Sequence, residues 1–279
     1  MRIPKQFEQM KTLYLMNKNI SDITPLSICT DAREVVLSSN SISNLVPLKS
    51  ITTIKKLYLG GNPVIDITPL SLLTGLTYLN LKNTRVSNLN PLADLTKLKE
   101  LDMGNVPAQD FKFLRSIKTL NNLSVSILSY EQLKAISDST SLKKLHIYEL
   151  YGVTAGDLVL LGNLTNLISL TFEHSIFNEY ELRFLSRFKK LQYLTFNDCI
   201  IKDATPISEL KTLTHIEFSN TAIDSIEKIS KSTSIQSFAG SFSQFRILKN
   251  LMEEHVDFSK IIGEMTDEEK TIWHNSFRD

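Results

Sequence analysis

Residues 54–75, IKKLYLGGNPVIDITPLSLLTG, decide the predicted fold. Leu57 and Leu59 flank Tyr58. In an extended segment successive side chains point to opposite faces, so the two leucines share one face and the tyrosine lies on the other. A second apolar stretch begins at Pro69. The segment therefore predicts a short strand with one apolar face, followed by a return path that carries apolar side chains of its own.

The same pattern recurs through most of the chain. It has the form L-x-x-L-x-L, and its first position recurs every 22 residues, apart from one interval of 25 and one of 24. Self-similarity at such a period is the signature of a repeat architecture. The eleven units begin at Met10, Ala32, Ile54, Leu76, Leu98, Leu120, Leu142, Leu167, Leu191, Leu213 and Ile235.

One repeat cannot bury its own leucine row, so the repeats must stack. Side-by-side stacking of the short strands forms a parallel sheet with about 4.8 Å between strands and a continuous apolar core behind it. The Pro-Leu dipeptide fixes the backbone for a turn or short 3₁₀ helix on the return path. The outward strand positions, such as Tyr78 and Asn80, remain free of packing constraints.

The unit from Leu76, LTYLNLKNTRVSNLNPLADLTK, repeats the form of residues 54–75. These 22-residue units with Pro-Leu resemble the leucine-rich repeat superfamily, in particular internalin-like repeats and those of type-1 protein phosphatase regulatory subunits. The resemblance implies an α/β fold, a right-handed leucine-rich repeat solenoid with a parallel sheet on its concave side and 3₁₀ and α segments on its convex side. It also implies a protein partner docked on the concave face.

Several units lack Pro-Leu and are predicted to carry α-helices instead. In three of them a capping residue is followed three positions later by a side chain that can complete a capping box. The pairs are Ser129 with Gln132, Thr154 with Asp157, and Asn178 with Glu181.

In similar repeats the ninth position is usually asparagine, whose buried amide bonds to the backbone of adjacent turns. Asn40 and Asn62 keep this residue, whereas Val106, Leu128 and Leu150 cannot form such bonds. Because buried backbone groups need partners, we expect backbone or water to supply them around residues 106–150.

The predicted organisation has three parts. Residues 1–9 form a short N-terminal cap, 10–248 form the solenoid of about eleven repeats, and 249–279 form a helical C-terminal cap. The helical prediction for the last part rests on the apolar spacing at the end of the solenoid and on the capping pair Thr266 and Glu269. We expect Trp273 to pack the last helix onto the final repeat.

Composition excludes several classes of protein. The chain has 279 residues, 42% hydrophobic and 22% charged, which excludes disorder. A net charge of +1 gives no overall attraction to nucleic acid or anionic lipid, and no apolar run is long enough to span a membrane. No secretory apolar segment occurs near the N-terminus, so a cytoplasmic monomer is expected; removal of a signal peptide would instead indicate secretion.

The sequence offers little chemistry for catalysis. Common nucleotide, hydrolase and zinc-protease motifs do not occur, and Cys29 and Cys199 lack the spacing of a zinc site. We interpret Cys199 as a buried hydrogen-bonding substitute for asparagine. We expect no catalytic residue, no metal and no cofactor.

Two clusters of outward strand residues are the predicted partner-binding sites. Tyrosine gives a large contact area and keeps a polar tip, which is typical of recognition surfaces. The first cluster contains Lys56, Tyr58, Tyr78, Asn80, Lys82, Glu100 and Asp102. The second contains His146, Tyr148, Glu173, Tyr193, His215 and Glu217.

The predicted function is a non-catalytic module that binds a protein partner. Three alternatives stay open: a regulatory or targeting subunit of an enzyme such as a phosphatase, the targeting part of a secreted bacterial effector or surface protein, and a sensor that recognises a ligand in a compact pocket on the inner face.

Overall fold

The computed structural model describes residues 9–179, 181–252 and 256–276. The chain forms two compact units, residues 1–153 and 154–279. Most of the predicted cap at residues 1–9 lies outside the described residues.

A parallel sheet runs through the first unit, with its strands side by side in chain order. Each strand pairs with the equivalent residues of the next repeat, so that Leu57 lies opposite Leu79 and Tyr58 opposite Asn80. The strands are β1 (Thr12–Tyr14), β2 (Glu34–Val36), β3 (Lys56–Tyr58), β4 (Tyr78–Asn80), β5 (Glu100–Met103), β6 (Asn122–Ile127) and β7 (Lys144–Leu150).

The return segments of the first unit are short 3₁₀ helices, as the Pro-Leu dipeptides predict. Proline occupies the first turn of four of them, where the missing N–H costs no hydrogen bond. They span Thr24–Ile28, Val46–Ser50, Thr68–Leu72, Asn90–Asp94 and Lys112–Ser116. The sixth repeat instead carries the α-helix α1 (Tyr130–Ser137), whose N-cap is Ser129 as predicted.

The leucines of the repeat pattern form the core. Leu57, Leu59, Leu70, Leu79 and Leu81 are all 0% exposed. Burying one leucine stabilises the fold by about 1.5–3 kcal/mol, so the stacked rows supply most of the driving force.

The second unit contains a parallel sheet of the same kind. Its strands are β8 (Ser169–Glu173), β10 (Tyr193–Asn197), β12 (His215–Ser219), β14 (Ser237–Gly240) and β15 (Asp257–Ile261). Three shorter strands, β9 (Ile176–Phe177), β11 (Ile200–Ile201) and β13 (Ala222–Ile223), form a second parallel sheet.

The helices of the second unit differ in part from the prediction. They are α2 (Ala155–Leu158), α3 (Thr205–Ser208), α4 (Phe242–Leu248) and α5 (Asp267–Asn275), with 3₁₀ helices at Val159–Asn163, Glu181–Arg187 and Ile226–Lys231. Thr154 caps α2 as predicted. The α-helix predicted after Asn178 is instead 3₁₀, although the Glu181 carboxylate still accepts the Asn178 backbone N–H at 2.7 Å.

A column of phenylalanine rings fills the core of the second unit. Phe172, Phe196, Phe218, Phe238 and Phe258 succeed one another from strand to strand, with ring centroids 5.5 to 6.0 Å apart. Each is at most 1% exposed.

The C-terminal prediction needs one correction. Residues 249–279 were predicted to be helical, but β15 pairs with β14 and Phe258 joins the phenylalanine column. The solenoid pattern therefore continues beyond residue 248 before α5 begins. The Trp273 indole N–H donates to the Phe258 carbonyl at 3.5 Å, and its ring is partly buried.

The buried asparagines bridge neighbouring turns as predicted. The Asn62 carboxamide accepts the Ile42 N–H at 3.0 Å and donates to the carbonyls of Leu37 and Leu59, each at 2.9 Å.

Between residues 106 and 150 a side chain supplies bonds that were expected from backbone or water. The Gln132 carboxamide accepts the Leu128 N–H at 2.6 Å and donates to the Ala108 carbonyl at 2.8 Å. Gln132 belongs to α1 and is 2% exposed. Its side chain therefore takes the place of the buried ninth-position asparagine that this part of the chain lacks.

No helix in the described part of the chain is long and apolar enough to cross a membrane.

Candidate binding surfaces of the two sheets

The first predicted cluster lies together on the solvent-facing side of β3, β4 and β5. Tyr58 and Tyr78 are neighbours on adjacent strands, with ring centroids 4.6 Å apart and a 35° angle between the rings. Burial raises the pKa of both phenols, so both hydroxyls stay protonated at neutral pH. The pair presents two aromatic rings whose polar tips can donate hydrogen bonds.

Asp102 is the hydrogen-bonding centre of this surface. Its carboxylate accepts the Asn80 side-chain N–H at 3.1 Å, the Gly104 backbone N–H at 3.1 Å and the Tyr148 hydroxyl at 3.3 Å. Asn80 in turn accepts the Lys82 backbone N–H at 3.0 Å. These bonds tie residues from three strands into one network.

The pKa of Asp102 is raised above its ordinary value because burial disfavours the charged carboxylate. The Gly104 N–H, the Lys82 ammonium and the Tyr148 hydroxyl act in the opposite direction but do not cancel the effect of burial.

Tyr148 reaches this network across β6. The register between β6 and β7 shifts after Val125, so β7 contains a bulge at Tyr148, and bulges redirect side chains. The Tyr148 ring lies against Gly104, where a Cβ would overlap it, and the Lys82 ammonium lies 3.6 Å from the ring centroid. The absence of a side chain at position 104 thus allows this contact.

The structure corrects the predicted grouping. His146 and Tyr148 were assigned to the second cluster, but both belong to the first unit, with ring centroids 4.2 Å apart. We use the name first-sheet cluster for Lys56, Tyr58, Tyr78, Asn80, Lys82, Glu100, Asp102, His146 and Tyr148.

Four predicted residues remain in the second unit, on β8, β10 and β12 of its larger sheet: Glu173, Tyr193, His215 and Glu217. We call them the second-sheet cluster. Tyr193 and His215 are paired on adjacent strands and stack with centroids 4.5 Å apart. The Glu217 carboxylate pairs with the Lys260 ammonium of β15 at 2.6 Å. Glu173 lies beside His174, with a nitrogen-to-oxygen distance of 3.6 Å.

Neither cysteine is poised for nucleophilic attack. Both are buried, and burial raises the pKa of the Cys199 thiol to about 11. As interpreted from the sequence, Cys199 takes a hydrogen-bonding position: its sulfur lies 3.2 Å from the Asn197 carbonyl oxygen. Within the described ranges, no three His, Cys, Asp or Glu residues are grouped to hold a metal ion.

No protein-family profile matches the sequence, and no curated protein matches it. Solved structures do match. An internalin of Listeria monocytogenes has a TM-score of 0.65 at 23% identity, covering 92% of this chain and 74% of the internalin. A leucine-rich repeat protein of Leptospira interrogans has a TM-score of 0.59 at 19% identity, covering 91% of this chain and 63% of the other.

A plant peptide hormone receptor, solved in complex with RGF2, has a TM-score of 0.51 at 16% identity. The match covers 92% of this chain and 49% of the receptor. These likenesses and the repeat register agree. The chain has a leucine-rich repeat fold.

The leucine-rich repeat fold generally mediates protein binding and is typically non-catalytic. Sequence analysis of this leucine-rich repeat chain did not identify Gly104, which contacts the first-sheet cluster, or Lys260, which pairs with Glu217 of the second-sheet cluster. Gly104 occupies the same repeat position as Lys82 one repeat earlier, just beyond the strand, so repeat alignment could have placed it beside the outward strand residues. Lys260 could not be found this way, because β15 was not predicted.

Proposed function

We propose that this chain is a non-catalytic protein-binding module that docks its partner on the solvent-facing side of its sheets. The observation that carries the proposal is the first-sheet cluster. Within it, specific contacts hold the tyrosine pair and the Asp102 network on a face whose residues the leucine core does not dictate.

The tyrosine pair supports a docking role through its composition. Tyr58 and Tyr78 are partly exposed, so each still has surface to bury against a partner. Aromatic side chains with two rotatable bonds gain contact area at little entropic cost, and tyrosine is enriched at binding hot spots.

Pre-organisation is the second support. The bonds from Asn80, Gly104 and Tyr148 to Asp102 fix the carboxylate before any partner arrives. A surface that is already ordered loses less conformational entropy on binding than a mobile one.

Binding by two variants tests the proposal. Wild type, Tyr58→Ala/Tyr78→Ala and Tyr193→Ala/His215→Ala are immobilised, and proteins captured from the native source are quantified by mass spectrometry. Lys211→Ala, an exposed change away from both clusters, is the control.

We expect a protein captured by wild type and the control to be lost from the Tyr58→Ala/Tyr78→Ala variant. If both double variants retain every captured protein, neither cluster is the docking site. The identity of the lost protein tests the first alternative, since a phosphatase or other enzyme indicates a regulatory subunit.

A further inference from the structure

One row of residues, at the N-terminal ends of the strands of the first unit, is strongly basic. These residues immediately precede the seven strands. The backbone N–H of each one after the first donates to the carbonyl of the equivalent residue in the preceding repeat, at 2.7 to 2.9 Å. In strand order they are Lys11, Arg33, Lys55, Thr77, Lys99, Asn121 and Lys143. We call this set the cation row; it contains five positive charges and no negative one.

The cations of this row are available to a partner. All five are exposed. Within the part of the chain that the structure describes, Lys11 is the member that forms an ion pair, with Asp31 at 2.7 Å. Unpaired cations at this density repel one another, so an anionic partner would relieve that repulsion.

Lysine recurs before every second strand: β1, β3, β5 and β7. Adjacent strands lie about 4.8 Å apart, so successive lysines are about 10 Å apart and the row is about 29 Å long. The spacing along the chain is correspondingly regular, with 44 residues from Lys11 to Lys55, from Lys55 to Lys99 and from Lys99 to Lys143.

Repeat packing does not require these cations. In the second unit the equivalent row has the same backbone bonds and contains Ile168, Gln192, Thr214 and Gln236, none of which is charged. The two units also differ in charge: the first has 18 Lys and Arg against 12 Asp and Glu, the second 13 against 18.

We propose that the cation row binds an extended acidic segment of a polypeptide, with Asp or Glu at every third residue. A polyproline II segment rises about 3.1 Å per residue with three residues per turn, so every third side chain falls on one side at about 9.3 Å. That repeat matches the spacing of the lysines. Three such carboxylates would pair with Lys55, Lys99 and Lys143, and a fourth would compete with the exposed Asp31 for Lys11.

The neighbouring residues favour a narrow polymer over a broad anionic surface. The first residues of the strands lie directly beside the row and are mixed in charge: Glu34 and Glu100 begin β2 and β5, and Lys56 and Lys144 begin β3 and β7. A duplex nucleic acid or a lipid bilayer would bring its own negative charges against these carboxylates, whereas a single extended chain contacts the row alone. The choice of a polypeptide among narrow polyanions rests on the proposed protein-binding function.

Peptide binding tests this site directly. Fluorescence anisotropy compares a labelled peptide of about twelve residues, with four glutamates at every third position and prolines between them, against a peptide of equal composition with its glutamates adjacent. The proteins are wild type, Lys55→Gln/Lys99→Gln/Lys143→Gln, and Lys189→Gln/Lys211→Gln/Lys231→Gln, whose exposed lysines lie in the second unit. Urea unfolding checks that both triple variants are folded.

We expect the spaced peptide to bind wild type and to lose affinity by about tenfold in the cation-row variant, at roughly twofold per exposed ion pair. The control variant should bind within about twofold of wild type. Raising the salt from about 0.1 M to about 1 M shortens the screening length from roughly 10 Å to 3 Å and should abolish binding.

Equal binding by the cation-row variant would overturn the proposal, and so would equal affinity for the two peptides. Binding of heparin or anionic lipid vesicles through the same lysines, without binding of the spaced peptide, would overturn the polypeptide assignment. The Tyr58→Ala/Tyr78→Ala variant keeps the lysines and should bind the peptide like wild type. The two sites can therefore fail separately.

Discussion

Asn62 shows how one side chain ties the backbones of two neighbouring repeats together. Its carboxamide contacts Ile42, Leu37 and Leu59, and it is 2% exposed. Asn62→Ala would leave buried donors and acceptors without partners, and we expect a loss of about 1–3 kcal/mol. Urea unfolding measures the loss. Asn163→Ala, on an exposed side chain, should change the free energy of unfolding by less than about 0.5 kcal/mol; equal effects would contradict the assignment.

The raised pKa of Asp102 predicts how the stability of the protein changes with pH. Because burial raises its pKa in the folded state, the folded protein keeps this proton to higher pH than the unfolded chain does. Ionisation of Asp102 therefore reduces stability as pH rises above the ordinary value of 3.8. Asp102→Asn removes this loss, so its stability relative to wild type should increase from about pH 4 to about pH 7.

Urea unfolding at several pH values in this range measures the trend, with Asp94→Asn, at an exposed position, as the control. A stability difference between Asp102→Asn and wild type that stays constant over this range would contradict the raised pKa.

At the scale of elements, α1 is anchored by Gln132. This side chain bonds the backbone of Leu128 and of Ala108, which lies in the preceding repeat. We expect Gln132→Ala to cost about 1–3 kcal/mol, since the buried Ala108 carbonyl and the partly buried Leu128 N–H would both lose their partner. Glu131→Ala changes the exposed neighbour in the same helix turn and should cost less than about 0.5 kcal/mol. Urea unfolding compares them, and similar losses would show that the helix is not held by this bridge.

Strand β15 belongs to the core of the second unit and is not a loose tail. Phe258 packs against Phe238 and Phe245, with ring centroids 5.5 Å and 5.8 Å away, and is 1% exposed. We expect Phe258→Ala to reduce stability by about 3–5 kcal/mol. Ile272→Ala, on the 41% exposed side chain in α5, is the comparison. A loss at Phe258 no larger than at Ile272 would remove β15 from the core.

At the scale of the whole molecule, repeats transmit stability through their nearest neighbours. Each repeat mainly contacts the adjacent ones, so a destabilising substitution should reduce the stability of neighbouring repeats more than that of distant ones. Leu57→Ala removes a side chain that is 0% exposed and should cost about 2–5 kcal/mol. Hydrogen exchange should then show a larger loss of protection in β2–β4 than in β12–β14. Uniform loss across all strands would contradict this expectation.

The regular part of the fold was predictable because a fixed period imposes the same environment on each repeat. Leu57 and Leu79 face each other across adjacent strands because they hold the same position in their repeats. Pro69 marks its 3₁₀ helix for the same reason. The prediction failed at Glu181–Arg187, where a capping pair is compatible with both helix types, and at β15, which follows a helix and departs from the L-x-x-L-x-L spacing.

The 22-residue period can be read directly from the amino-acid sequence, and alternation along each strand then sets the inward leucines and the outward side chains. Tertiary structure decided which outward residues meet. A bulge in β7 and a missing side chain at Gly104 bring Tyr148 to Asp102, 46 residues away in the chain. The pairing of Glu217 with Lys260 likewise exists only because β15 joins the sheet. Such contacts depend on bulges and added strands that break the period, which a repeat pattern does not encode.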